Sequence, residues 1–159
     1  MSHPHSTTFG DFRCAHCGYI VSSAHWLSGV HNRNHCPYCL WSRHLDLYTA
    51  GDRLSACKAP MRPVALTSKR SRNKYRSGRG ELMLVHQCTD CGGVSINRIA
   101  ADDDAGTLLE VFNASLSLPT RTQNLLLESE IDVLPPGSLP ILQFQLFGRI
   151  TNTRSAEMV

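Results

Sequence analysis

Cysteines arranged in pairs are the residues whose spacing points most directly to chemistry. Cys14 and Cys17 form one Cys-x2-Cys pair, Cys36 and Cys39 form a second, and eighteen residues lie between the pairs. Zinc takes four thiolate or imidazole ligands in a tetrahedron, and two matched pairs at this spacing complete that set. Gly18 suits the tight turn after the first pair because glycine accepts positive φ at little cost. The pattern predicts a closed four-cysteine zinc site rather than four unrelated buried cysteines or a redox-active pair.

A third pair, Cys88 and Cys91, needs two further ligands to hold a second metal ion. Cys57 is the one cysteine left in the sequence. His86 lies two residues before Cys88, and side chains at this separation in a strand share one face. We therefore predict a second zinc ion held by Cys57, His86, Cys88 and Cys91, a common ligand composition.

The sequence leaves the fourth ligand of this second site open. Asp52 or His44 can replace His86, and Cys57 can instead remain a buried thiol. If only three side chains bind the ion, a position stays free for water, and the aspartates at 102–104 then suggest a metal-dependent hydrolase. Capping of the following helix explains the same aspartates without catalysis.

Cysteine use and hydropathy indicate the cellular compartment in which the protein is expected. Six of the seven cysteines fall into Cys-x2-Cys pairs, which is typical of metal binding rather than of a disulfide framework. We therefore expect a reducing compartment, the cytoplasm, with the nucleus as an alternative. Residues 1–8 lack the apolar core of a secretory signal and are predicted to be a disordered leader. No apolar run approaches the roughly 20 residues needed to span a membrane, so no membrane partner is expected.

Positive charge is concentrated in one segment of the chain. Residues 1–101 hold thirteen Lys/Arg and five Asp/Glu, whereas residues 102–159 hold three Lys/Arg and eight Asp/Glu. Six cations and one tyrosine fall within eleven residues, and no acid occurs between Asp52 and Glu81. The residues of this basic segment are Lys69, Arg70, Arg72, Lys74, Tyr75, Arg76 and Arg79.

Such a segment is either a solvated hairpin tip or an arm that binds nucleic acid. Cations that neutralise phosphates release counterions, and Tyr75 can stack on an unpaired base. We therefore predict that RNA or a ribonucleoprotein is the partner. The alternative is a protein-interaction adaptor that uses its ribbon edges and an apolar C-terminal tail.

Short apolar stretches predict strands, and one capped stretch predicts a helix. The expected strands are residues 19–21, 64–66, 81–88 and 94–96, with the middle two forming a hairpin whose long tip is the basic segment. Asp103 or Asp104 is expected to cap a helix that includes Leu108 and Phe112. Prolines punctuate the chain after residue 116, and residues 141–147 alternate partly like a strand.

Together these features predict a small β-rich, zinc-ribbon-like domain with two zinc-stabilised halves. One C-terminal helix and a weakly structured tail follow the sheet. The predicted divisions are a leader at 1–8, a zinc-binding domain at 9–115 and a tail at 116–159.

Several segments, in order, resemble the RNHCP-domain family, which is zinc-ribbon-like and named after the pentapeptide found here at 33–37. The matching segments are 14–18, 33–40, 44–46, 51–53, 61–64, 86–88, 91–92, 97–100 and 102–103. The resemblance covers roughly residues 9–115 and implies metal binding, but no particular activity.

Polar and aromatic residues near the cysteines are open to two interpretations. Arg33, Asn34 and His35 precede the second pair, where hydrogen bonds to the thiolates or to neighbouring carbonyls are expected. The alternative is an exposed contact surface for RNA. Trp26 and Trp41 are expected to pack between the layers of the ribbon.

Overall fold

The chain is built around a four-stranded antiparallel sheet in the order β3-β4-β5-β6, with a separate two-stranded sheet, β1-β2. The computed structural model describes residues 11–30, 33–46, 54–69 and 80–148. The strands are β1 (Phe12–Arg13), β2 (Ile20–Val21), β3 (Ser42–Arg43), β4 (Pro60–Lys69), β5 (Glu81–Cys88) and β6 (Val94–Arg98). The β-rich architecture is therefore confirmed, as are the predicted strands around residues 20, 65, 85 and 95.

The β4–β5 hairpin is the longest paired element of the sheet. Its register runs from Met61 opposite Cys88 to Lys69 opposite Glu81. The register shifts between Pro63 and Ala65, where proline cannot donate a backbone hydrogen bond to the ladder. One end of the hairpin thus carries a cysteine of the third pair, and the opposite end carries the start of the basic segment.

Helices cover both faces of the hairpin. The described helices are α1 (His25–Ser28), α2 (Ala105–Ser115), α3 (Thr120–Glu128) and α4 (Leu139–Phe147), with a 3₁₀ turn at Pro136–Ser138. Of these, α2, α3 and α4 pack against the hairpin. The predicted cap of α2 is confirmed at Asp104, whose side chain accepts a hydrogen bond from the Thr107 backbone N–H at 2.8 Å. None of these helices, within the described part of the chain, is long and apolar enough to cross a membrane.

Two apolar clusters lie on the two faces of the sheet. On one face, Leu66 and Leu84 pack with Phe112 of α2 and Leu142 of α4. On the other face, Val64, Ala65 and Val85 pack with Leu126 of α3. Successive residues of a strand point to opposite faces, which separates the pair Leu66 and Leu84 from the pair Ala65 and Val85. Val64 shares the face of Ala65 because the register shifts at this point.

The prediction of one C-terminal helix and a weakly structured tail is wrong for residues 116–148. This region contains α3, α4 and an extended stretch that hydrogen-bonds to β4, with the Leu134 N–H donating to the Leu66 carbonyl at 3.0 Å. The strand expected at 141–147 is helix α4, which contains Pro140 in its first turn and ends at Gly148 with φ of 70°. Both positions suit a helix, since proline needs no N–H donor there and glycine adopts the left-handed cap.

Candidate metal centres and the surrounding polar network

The first cluster consists of Cys14, Cys17, Cys36 and Cys39, whose sulfurs lie within 4.8 Å of one another. The two pairs interleave, with Cys14 Sγ 3.6 Å from Cys39 Sγ and Cys17 Sγ 3.5 Å from Cys36 Sγ. In a tetrahedron with zinc–sulfur bonds of about 2.3 Å, neighbouring sulfurs lie about 3.8 Å apart. The arrangement therefore fits the predicted four-thiolate zinc site.

Each Cys-x2-Cys loop closes in the same way. The backbone N–H of the residue after the second cysteine donates to the carbonyl of the first cysteine, in Gly18 to Cys14 at 2.9 Å and in Leu40 to Cys36 at 2.8 Å. This residue has positive φ in all three loops, 81° at Gly18, 65° at Leu40 and 75° at Gly92. Leu40 adopts this left-handed conformation, which is strained for a residue other than glycine, and its side chain is fully buried in the core.

Hydrogen bonding and burial act against each other on the thiols of this cluster. Burial raises the pKa of the Cys14 thiol, but backbone N–H groups of Cys17 and His16 reverse this effect and hold the pKa below its usual value. Burial is the main cause that raises the pKa of Cys36 and of Cys39. A divalent cation bound to all four sulfurs would stabilise each of them as a thiolate and so offset the effect of burial on the pKa.

The second cluster consists of His44, Cys57, Cys88 and Cys91. Cys57 Sγ lies 3.6 Å from Cys88 Sγ, and Cys91 Sγ lies 3.3 Å from His44 Nδ1. Burial raises the pKa of the Cys88 thiol, but N–H groups of the Cys91 loop and the side chains of His44 and Cys57 lower it to about 6. Three thiolates and one imidazole again form a complete tetrahedral donor set for zinc.

The prediction of His86 as the fourth ligand needs correction, because the structure holds its ring away from the cysteines. Its Nε2 donates to the Leu40 carbonyl at 2.6 Å, and its Nδ1 accepts from the Asn97 amide at 2.9 Å. Burial, with the neighbouring His35 ring, lowers the pKa of His86 to about 3, so the imidazole is neutral. Both ring nitrogens are thus used within the fold, and His44 takes the place that the sequence assigned to His86.

Pairing of the short strand β3 with β4 explains why His44 reaches the second cluster. Arg43 lies opposite Pro60, and the next residue, His44, donates its backbone N–H to the Ala59 carbonyl at 2.9 Å. Lys58 then donates its own N–H to the His44 carbonyl at 3.1 Å. The sequence named His44 as an alternative, but a two-residue strand gives too weak a pattern to select it over His86.

Arg33 and His35 anchor a buried ionic network to the aspartates that precede α2. Arg33 Nη1 donates to Asp102 Oδ2 at 2.8 Å, and its Nη2 lies 3.6 Å from Asp103 Oδ1. His35 Nε2 lies 2.7 Å from Asp103 Oδ2, which also accepts the Ala100 backbone N–H at 2.8 Å. Burial of Arg33, His35 and Asp103 identifies this network as internal, which removes the alternative of an RNA contact surface at these residues.

Asn34 connects the same segment to the centre of the sheet. Its amide donates to Asn97 Oδ1 at 2.9 Å, and Asn97 in turn donates to His86. The Arg33 guanidinium also donates to the His35 carbonyl at 3.2 Å. Among the described residues, these three side chains bond to carbonyls, amides and carboxylates, and not to thiolates. Of the two kinds of hydrogen bond expected for them, the structure therefore shows the bonds to carbonyls.

The three aspartates that suggested a hydrolase have structural partners in the fold. Asp102 and Asp103 bond to Arg33 and His35, and Asp104 caps α2. The second cluster offers four side-chain ligands, whereas a catalytic zinc ordinarily has three and one open position.

Aromatic rings bridge the two loops of the first cluster. His16 and Trp41 stack face to face, with ring centroids 4.1 Å apart and planes at 5°. Tyr19 and Tyr38 form a second, tilted pair at 5.0 Å and 42°. Trp41 therefore packs against His16 of the first loop, whereas Trp26 is 82% exposed and the packing expected for it is wrong.

The predicted nucleic-acid residues fall almost entirely outside the described residues. Lys69 is exposed at the end of β4, opposite Glu81. Arg70, Arg72, Lys74, Tyr75, Arg76 and Arg79 lie outside the described residues, so the structure neither places them nor tests their role.

Comparison with known proteins adds one finding to this geometry. A model of the RNHCP domain matches residues 9–109, which contain all seven cysteines, His44 and the network around Arg33. No curated protein and no solved structure matches the chain. Since the matched region spans more than half of the sequence, the chain belongs to the RNHCP domain family.

Proposed function

We propose that this chain is an RNA- or ribonucleoprotein-binding module whose fold is held together by two structural zinc ions. The family membership and the two donor clusters support metal binding. The seven thiols, none of them in a disulfide, suit a reducing compartment such as the cytoplasm.

One observation carries the RNA-binding proposal: the basic segment is joined at both ends to the rigid β4–β5 hairpin. Lys69 and Glu81 face each other in the ladder, so the segment between them starts and ends at one end of the hairpin. The second cluster lies at the opposite end of the hairpin, next to Cys88. The segment is therefore joined to the end of the hairpin that does not carry this metal centre.

The charge of the remaining protein supports the same assignment. Acidic side chains outnumber Lys and Arg among the described residues. The positive charge is therefore concentrated in the basic segment rather than spread over the surface. A concentrated cluster of cations attracts a polyanion locally, and its contacts weaken as salt is added.

The zinc ions have a structural role in this proposal. Each cluster supplies four side-chain ligands, and the thiolate-rich composition favours zinc over hard cations such as Mg²⁺ or Ca²⁺. Each ion joins loops that are distant in sequence, such as Cys14 to Cys39 and Cys57 to Cys88. Two ions can therefore stabilise a chain of modest apolar content.

Fluorescence anisotropy with a labelled single-stranded RNA over a range of salt concentrations tests the proposal. Replacing the six cations between Lys69 and Arg79 by Gln should weaken binding and reduce the salt slope, by about 0.7 per lost phosphate contact. Replacing Arg62 and Arg121 by Gln is the control, because both are exposed cations outside the segment. Unchanged binding after neutralising the segment, or no RNA binding by the wild type, would contradict the proposal.

A protein-interaction adaptor is the second candidate, and exposed residues of α4 favour it. Ile141, Phe144 and Phe147 recur every third residue, and each remains 44–51% exposed. An uncharged apolar helix face of this kind is typical of protein contacts. Salt-insensitive capture of a protein that Phe144→Glu abolishes would support the adaptor, whereas capture unaffected by Phe144→Glu would exclude this face.

A further inference from the structure

The tyrosine pair at the first cluster differs from the neighbouring aromatic pair in the angle between its rings. Tyr19 and Tyr38 are 62% and 57% exposed, and their planes diverge by 42°. His16 and Trp41, by contrast, lie nearly parallel and cover each other's faces. Diverging rings leave aromatic surface open to a further planar group.

The backbone holds both tyrosines on the cysteine loops. The Tyr19 carbonyl accepts the Cys14 N–H at 2.8 Å, so the residue is fixed directly beside the cluster. Tyr38 lies between Cys36 and Cys39, inside the loop that Leu40 closes. A metal ion in this cluster would stiffen both loops, so the rings would lose little further freedom on binding a ligand.

A cation lies beside this aromatic surface. Arg13 Nη1 donates to the Gly18 carbonyl at 2.9 Å, which holds the guanidinium next to the residue that precedes Tyr19. Within the described part of the chain, no carboxylate pairs with Arg13. The carboxylate of Asp11, close to it in sequence, instead accepts hydrogen bonds from the backbone N–H and hydroxyl of Ser23.

We propose that Tyr19, Tyr38 and Arg13 bind one unpaired nucleotide of a single-stranded RNA. The tyrosine rings stack on the base, and the guanidinium contacts the adjacent phosphate. Aromatic surface suits a base because every base has a π face, and a guanidinium without a carboxylate partner among the described residues suits the phosphate. This inference rests on the proposed RNA-binding function and identifies a base-contacting site separate from the basic segment.

Anisotropy titration of a short labelled RNA of adenosine and uridine tests the site with full-length protein. Tyr19→Leu and Tyr38→Leu should each weaken binding by about tenfold, because they keep apolar volume but remove the π face. Tyr19→Phe and Tyr38→Phe should bind like wild type, since they keep the stacking ring. Phe144→Leu is the control, because it removes an exposed aromatic ring on α4, outside the proposed site.

Salt dependence separates the contribution of Arg13 from that of the rings. Arg13→Gln should lower the salt slope by about 0.7, the value of one phosphate contact, whereas the Leu variants should leave the slope unchanged. If wild type binds RNA but the Tyr→Leu variants bind equally well, the nucleotide site is wrong while RNA binding by the basic segment stands. If wild type binds no RNA, both proposals are overturned. Equal metal content and thermal unfolding temperature in all variants establish that an affinity loss is not unfolding.

Discussion

At the scale of single residues, the two histidines that the sequence offers as ligands of the second cluster have different roles. His44 lies 3.3 Å from the Cys91 sulfur, whereas His86 bonds through both nitrogens to Leu40 and Asn97. Sequence spacing favoured His86, because a histidine two residues before a cysteine in a strand shares its face. Spacing does not reveal hydrogen-bond partners from distant segments, and these partners decide the role of His86.

Alanine variants of the two histidines should therefore differ in metal binding and in stability. His44→Ala should weaken the binding of one metal ion, measured by competition with a chromogenic chelator, while the other ion stays tightly bound. His86→Ala should retain both ions but lower the free energy of unfolding by about 3 kcal/mol, because the buried Leu40 carbonyl and Asn97 amide lose their partner. Loss of a metal ion in His86→Ala but not in His44→Ala would reverse the assignment.

The neighbouring aspartates of the ionic network give a second matched pair. The side chain of Asp103 has no exposed surface, whereas that of Asp102 is 32% exposed. Asp103→Asn should destabilise the protein by about 3 kcal/mol because Arg33 and His35 lose a buried anion. Asp102→Asn should lower the free energy of unfolding by about 1 kcal/mol or less, since solvent screens the ion pair between Asp102 and Arg33. Chemical denaturation of both variants measures the difference, and equal costs would contradict the buried network.

At the scale of elements, the sequence specified the parts with strong local signals. Each hairpin arm contains a short apolar run, at residues 64–66 and 82–85, and Asp104 followed by Thr107 marks the start of α2. The Cys-x2-Cys pairs located all three loops. The sequence of helix α4 resembles a strand because apolar residues and glutamines alternate from Leu142 to Leu146, and because its apolar residues show no helical period.

Burial of α4 against the sheet leads to a prediction about the tail. Leu142 is 1% exposed and packs with Leu66, Leu84 and Phe112, whereas Ile141 is 47% exposed. Leu142→Ala should lower the free energy of unfolding by about 2–5 kcal/mol, and Ile141→Ala by much less. Equal, small effects in urea denaturation would mean that the tail does not belong to the core.

At the scale of the whole molecule, the two clusters and the network around Arg33 join segments from most of the described chain. The first cluster joins the β1–β2 region to the loop before β3, and Arg33 joins that loop to the start of α2. The second cluster joins the loops after β3 and β5. The sequence predicted the first cluster and the three cysteines of the second. It did not predict this order of connections, because the network depends on the fold rather than on a local pattern.

Zinc K-edge X-ray absorption of the purified protein tests the central claim, two closed thiolate-rich centres, most directly. The account predicts two zinc ions per chain, with seven sulfur ligands and one nitrogen ligand shared between them and zinc–sulfur distances of about 2.3 Å. A single zinc, or a coordination shell in which nitrogen and oxygen outnumber sulfur, would contradict it.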